Sequence, residues 1–65
     1  MNLTINGEPR AITQATTVVE LLDELGIEGT VAIERNGIIV PRNQQQVMPI
    51  AQGDRLEIVQ FVGGG

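Results

Sequence analysis

Apolar and polar residues alternate from the start of the chain. Leu3 and Ile5 flank Thr4, and the run stops at Asn6-Gly7, a pair that favours the left-handed backbone of a two-residue hairpin turn. The spacing predicts a strand ending at Ile5 and a return strand over 10–13, with Leu3, Ile5 and Ile12 in the core; Pro9 can lengthen the turn and leaves the register open. The period then changes. Val18, Leu21, Leu22 and Leu25 recur at helical spacing, which predicts one amphipathic helix with Glu20, Asp23 and Glu24 facing water. Thr17 and Glu20 fit a capping box at its start. Gly26 fits the left-handed stop at its end, with Ile27 packing back on Leu22.

Alternation returns in 31–35 and 38–41 around Asn36-Gly37, a second hairpin signal. A two-residue turn pairs Arg35 with Ile38 and Ile33 with Val40. Val31, Ile33, Ile38 and Val40 then share one face, and Ala32, Glu34, Ile39 and Pro41 the other. Residues 43–46 are polar and read as loop or a single helical turn. Met48 and Ile50 are isolated apolar anchors, Gln52-Gly53-Asp54 is a turn, and a last strand covers 55–62. The order β-β-α-β-β-loop-β belongs to the α+β class. A helix between two hairpins supplies the crossover that lets the first and last strands lie parallel at the centre of a mixed sheet, packed on one face by that helix. This is the β-grasp, or ubiquitin-like, architecture.

Sixty-five residues make one domain, expected over 1–62, followed by a flexible Gly tail at 63–65. A chain this short buries only about 60% of the surface its unfolded form exposes, leaving little room for a deep pocket. It contains no cysteine and no histidine, which excludes disulfides, Cys/His zinc sites and a histidine base. Its net charge is -4, with four arginines, no lysine and Phe61 as the one aromatic ring. Neither the cationic footprint nor the stacking platform of nucleic-acid binding is present. No apolar run approaches the ~20 residues of a membrane span, and no leader pattern opens the chain. No membrane association and a cytoplasmic location are therefore expected.

In-place chemistry has few candidates. The acids are scattered over a helix surface, turns and strand faces, and read as solvated charge. No Asp-rich loop has calcium spacing, and no Gly-rich loop leads from strand to helix. Two features stand out. The sequence closes on Phe61-Val62-Gly63-Gly64-Gly65. Glycine threads slots that exclude other residues and leaves a terminal carboxylate sterically bare, while three extended glycines reach about 10 Å. Such a tail suits activation of the Gly65 carboxylate by a partner enzyme; taken alone, it equally resembles a frayed end or a linker. The second feature is the last strand. Alternation puts Leu56, Ile58 and Gln60 on the helix side and Arg55, Glu57, Val59 and Phe61 on the other. Val59 and Phe61, beside the tail, form a candidate docking patch with Val62 and Gly63; ordinary strand exposure is the alternative.

The topology, the stretch Asn36-Gly37-Ile38-Ile39-Val40-Pro41-Arg42, the Gly53-Asp54 turn and the Gly64-Gly65 end together resemble the ThiS family of thiamin-biosynthesis sulfur carriers. The likeness covers the entire chain; Gly63 departs from a strict Gly-Gly ending without touching the last two positions. The resemblance implies a protein co-substrate rather than an enzyme. A ThiF-like adenylyltransferase would activate the Gly65 carboxylate with ATP, and a cysteine desulfurase or other donor would supply sulfur to form a thiocarboxylate. A ThiG-like thiazole synthase would then take the sulfur into the thiazole ring. ATP and magnesium would be bound by the adenylyltransferase, so no cofactor of the chain's own is expected. Two alternatives stay open: a sulfur carrier of another pathway (molybdopterin, cysteine or tRNA thiolation), or a non-covalent β-grasp interaction module.

Overall fold

A computed structural model describes residues 1–61. The elements are β1 (Asn2–Ile5), β2 (Glu8–Ala11), α1 (Val18–Glu24), β3 (Val31–Arg35), β4 (Ile38–Ile39), a single 3-10 turn over Arg42–Gln44, and β5 (Arg55–Gln60). They build one sheet in the order β2-β1-β5-β3-β4. The central pair, β1 with β5, is parallel, and the other pairs are antiparallel. This is the mixed α+β, β-grasp sheet expected from the order of elements, with α1 as the crossover.

Both hairpins turn through two residues with positive φ: Asn6 at 51° with Gly7 at 82°, and Asn36 at 52° with Gly37 at 85°. Such turns match the twist of the strands they join. The first is tight despite Pro9, because Ile5 pairs with Glu8 and Pro9 lies opposite Thr4. The return strand therefore starts and ends two residues before the expected 10–13. Proline is tolerated there because β2 is an edge strand whose outer donors need no partner. The second hairpin has the expected register, with Arg35 opposite Ile38, but β4 is only two residues long. Val40 still donates to the Ile33 carbonyl, and after Pro41 the chain leaves the sheet for the 3-10 turn over Arg42–Gln44.

Helix α1 starts as Thr17 accepts a hydrogen bond from the Glu20 amide. The Glu20 carboxylate reaches one residue further upstream than a standard capping box, accepting from the amide and hydroxyl of Thr16. The amides of Val18 and Val19, which have no partner inside the helix, donate to the carbonyls of Met48 and Gln45. The loop after β4 thus closes the N-terminus of the helix. At the other end Gly26 donates to Asp23 and Ile27 to Leu22, the paired bonds of a Schellman stop.

The core lies between sheet and helix. Leu3, Ile5, Ile33, Leu56 and Ile58 come from the sheet and Val18, Leu21 and Leu22 from the helix; Ile12, Val40 and Ile50 close the margins. Ile38 shares the helix-side face with Ile33 in register, yet it is 73% exposed, because β4 is the outermost strand and the helix does not reach over it.

Two carboxylates do more than solvate the surface. Asp54 is buried at 6% exposure and accepts from Arg35 Nε at 2.7 Å, Asn36 Nδ2 at 3.0 Å and the Ala51 amide at 2.8 Å. Burial by itself would push its carboxyl up; the three donors and the Arg35 charge outweigh that and hold it below the usual carboxylate value. Glu24 lies at the surface and accepts from the amides of Thr13, Gln14 and Ala15 and from the Thr13 hydroxyl. It pins the β2–α1 connection to the end of the helix. These bonds, the Thr13 amide first, lower its pKa from 4.5 to about 2.

That shift has a sign. A carboxyl with a depressed pKa in the folded state stabilises the fold above its unfolded value and loses the contribution as pH falls through the folded one. The variant Glu24→Gln, which cannot accept all three amides with full charge, should melt below the native protein at pH 7. The gap should be constant above pH 4.5 and close as pH approaches about 2. Melting curves across that range check it; a gap that persists unchanged at the acid end would mean that the Glu24 charge is not responsible.

Candidate functional site

The site begins with β5, which carries Val59 and is followed in sequence by Phe61 and residues 62–65. Two turn asparagines hold this strand from different hairpins. Asn6 donates from Nδ2 to the Ile58 carbonyl at 3.1 Å and accepts at Oδ1 from the Ile58 amide at 2.7 Å. It imitates one more residue of β1 after the backbone has turned away. Asn36 accepts from the Arg55 amide at 2.9 Å through Oδ1, while its Nδ2 binds Asp54. On the β3 side the ladder continues to the last described residue, where the Phe61 amide donates to the Thr30 carbonyl at 3.1 Å. The strand is therefore fixed in register up to the point where 62–65 begin.

Because it is fixed, its two faces are sorted cleanly. Leu56 and Ile58 are 1% and 8% exposed, whereas Val59 and Phe61 are 57% and 59% exposed. Gln60 lies on the helix side but beyond the helix itself, and its Nε2 donates to the Glu28 carbonyl. Val59 and Phe61 stand on the outer face beside Ala32 and Ile39, and together they line a shallow groove. Ala32 sits directly opposite Val59. Glu34 and Glu57 face one another in the same groove, and Arg42 stands at its margin.

Of the expected site residues, Val59 and Phe61 are thus brought together on the outer face. Val62, Gly63, Gly64 and Gly65, including the expected end of the last strand and the tail, lie outside the described residues. The opposition of Glu34 and Glu57 is a further feature of this face; it comes from the β3–β5 register, which no local turn signal in the sequence sets. Among the described residues there is no cluster of three or more His, Cys, Asp or Glu able to hold a metal, and no helix is long and apolar enough to cross a membrane.

Comparison with known proteins gives this arrangement a context. The family model described as "ThiS family" matches residues 3–65. The chain belongs to the ThiS family. The crystal structure of the thiamine biosynthesis protein ThiS of Geobacter metallireducens superposes with a TM-score of 0.83 at 36% identity, covering all of both chains. A solution structure of a thiamine biosynthesis protein from the same organism gives 0.81 at 36% identity, covering all of this chain and 88% of the other. Two curated relatives carry the name thiazole synthase. That of Paramagnetospirillum magneticum is 48% identical and that of Magnetococcus marinus 38% identical, each across the whole of this chain. The chain spans about a fifth of the length of these relatives, at 20% in both.

The sorting of β5 predicts opposite outcomes for neighbouring substitutions. Val59→Ser with Phe61→Ser opens no core cavity and should cost well under the roughly 3–5 kcal/mol typical of truncating a buried Phe. Ile58→Ser leaves a void and buries a hydroxyl, and should threaten the fold itself. Denaturant unfolding of both variants checks the pair; an unfolded outer variant beside a stable Ile58→Ser would reverse the assignment of faces.

Proposed function

We propose that this chain is a sulfur carrier of thiamin biosynthesis, with the Gly65 α-carboxylate as its reacting group. The observation that carries the proposal is the ThiS-family match reaching residue 65. Full-length similarity to the ThiS of Geobacter metallireducens supports it. The name of the two thiazole synthases favours the thiamin pathway over molybdopterin, cysteine or tRNA thiolation.

The chemistry requires Gly65 to carry a free α-carboxylate. A ThiF-like adenylyltransferase binds ATP and magnesium. A carboxylate oxygen attacks the α-phosphorus, pyrophosphate leaves, and an acyl-adenylate results. A hydrosulfide equivalent, supplied by a cysteine desulfurase or another donor, then displaces AMP to leave a thiocarboxylate on Gly65. A ThiG-like thiazole synthase accepts that sulfur. In this scheme the chain is a co-substrate and not an enzyme. Its own parts are simple: Gly64 and Gly65 enter the partner, Val62 and Gly63 span the distance, and Val59 and Phe61 dock the globule. Glycines suit the narrow passage because they have no Cβ. The partners act within the cytoplasm, where ATP and reduced sulfur are available.

Intact mass after incubation with the adenylyltransferase, ATP and a sulfur source tests the reading. A carrier gains about 16 Da as one oxygen is exchanged for sulfur; a non-covalent module gains nothing. Removing Gly64 and Gly65 should abolish this gain and leave the thermal midpoint nearly unchanged, since no core residue is touched. A truncated chain that is still thiolated refutes the assignment of the carboxylate, as does a mature polypeptide that continues uncleaved past Gly65. Val59→Ser with Phe61→Ser should weaken docking far more than folding, because apolar anchors at the centre of an interface commonly carry about 2 kcal/mol or more each.

A further inference from the structure

Glu34 on β3 and Glu57 on β5 are directly opposite in the antiparallel register. Both are exposed on the outer face. The pattern of the ladder makes theirs a hydrogen-bonded pair, since Phe61 donates to Thr30 four positions along and Asn36 to Arg55 two positions the other way. Side chains of such a pair leave the sheet about 5 Å apart on the same side. Like charges in this position are destabilising, so the isolated domain gains nothing from the arrangement. Among the described residues the one ion pair joins Arg35 to Asp54. Arg42 and Arg55 lie on this face but neither is within ion-pair distance of the two glutamates. The strands hold the two carboxylates together, framed by Val59 and Ala32 towards the tail and by Ile39 on the β4 side.

We propose that the outer face is recognised by an apolar protein surface bearing one cationic side chain, an arginine or lysine, that enters between Glu34 and Glu57. The occupant is the ATP-dependent adenylating enzyme of the proposed function, and the inference rests on that reading. Charge complementarity selects this partner. An enzyme that brings ATP and a carboxylate together needs positive potential around its site, and this chain carries a net charge of -4. An arginine fork satisfies two carboxylates at once. The apolar frame excludes water from the pair, so the cation relieves the repulsion between the glutamates at the moment of docking. Val59 and Phe61 supply contact area, and the glutamates set orientation over a tail that must enter a narrow passage.

The test uses the full chain and the ThiF-like adenylyltransferase of the same organism, with affinity measured at several salt concentrations and ATP–pyrophosphate exchange as a second readout. The double variant Glu34→Gln/Glu57→Gln should bind at least about tenfold more weakly, with a flatter salt dependence, and Glu57→Lys should bind more weakly still. The thermal midpoint of the free double variant should hold or rise, which separates lost docking from lost folding. Unchanged affinity and salt dependence in the double variant overturns the proposal while exchange by the native chain leaves the carrier function standing. A native chain that supports no exchange removes the carrier reading and this inference with it. If the double variant loses affinity for thiazole synthase but keeps it for the adenylating enzyme, the occupant is assigned wrongly and the proposal fails.

Discussion

A central strand has to satisfy donors and acceptors along both edges, and β5 has too little neighbour on one of them. β3 runs beside it for five paired positions, but β1 matches it at only two, Thr4 with Arg55 and Ile5 with Leu56. Then β1 turns away at Asn6. The Asn6 side chain supplies both missing bonds to Ile58, and Asn36 supplies one to Arg55 at the other end. An amide side chain can do this because it carries a donor and an acceptor in the geometry of a peptide group. The same two residues tolerate the positive φ that the tight turns demand. One residue type therefore solves two problems at each hairpin, and the strand that leads to 62–65 is held where it must be.

Most of the fold was legible in the alternation. The helix boundaries, both turns, the register of the second hairpin and the sorting of Leu56 and Ile58 from Val59 and Phe61 follow from periods and from two Asn-Gly pairs. What escaped was set by contacts across long sequence separations. Asn6 reads locally as a turn residue, and nothing near it announces a bond to Ile58. Glu24 reads as one more acid on a wet helix face, because the amides of Thr13, Gln14 and Ala15 come to it only once the connection has folded back. Asp54 looks like a turn aspartate until Arg35 and Asn36 arrive from the other hairpin. The position of β2 differs for another reason: Pro9 leaves the length of the turn open in the sequence, and an edge strand accommodates it beside a tight two-residue turn.

The electrostatic design follows the same division. Where an acid is paid back by donors, as at Glu24 and Asp54, it joins connections to the scaffold and its pKa falls. Asp54 ties the second hairpin to the start of β5, so it acts on the strand through its first residues, as Asn6 acts on its later ones. Glu34 and Glu57 have no such return. Their opposition persists on a face that the helix does not cover, within a few residues of the segment on which the proposed chemistry depends.

A β-strand with one buried and one open face allows two kinds of constraint to be read separately. Even positions of β5 answer to the core: a change at Leu56 or Ile58 is felt as a cavity. Odd positions face outward and can be exchanged without repacking the interior. The backbone, however, belongs to both. A displacement of β5 by one residue would carry Val59 and Phe61 into the core and present Leu56 and Ile58 to water. Two asparagines, the Asp54 cluster and the β3 ladder all oppose that slip. The proposed recognition face is therefore only as well defined as the register beneath it, and residues remote from that face help to define it by fixing which side chains point outward.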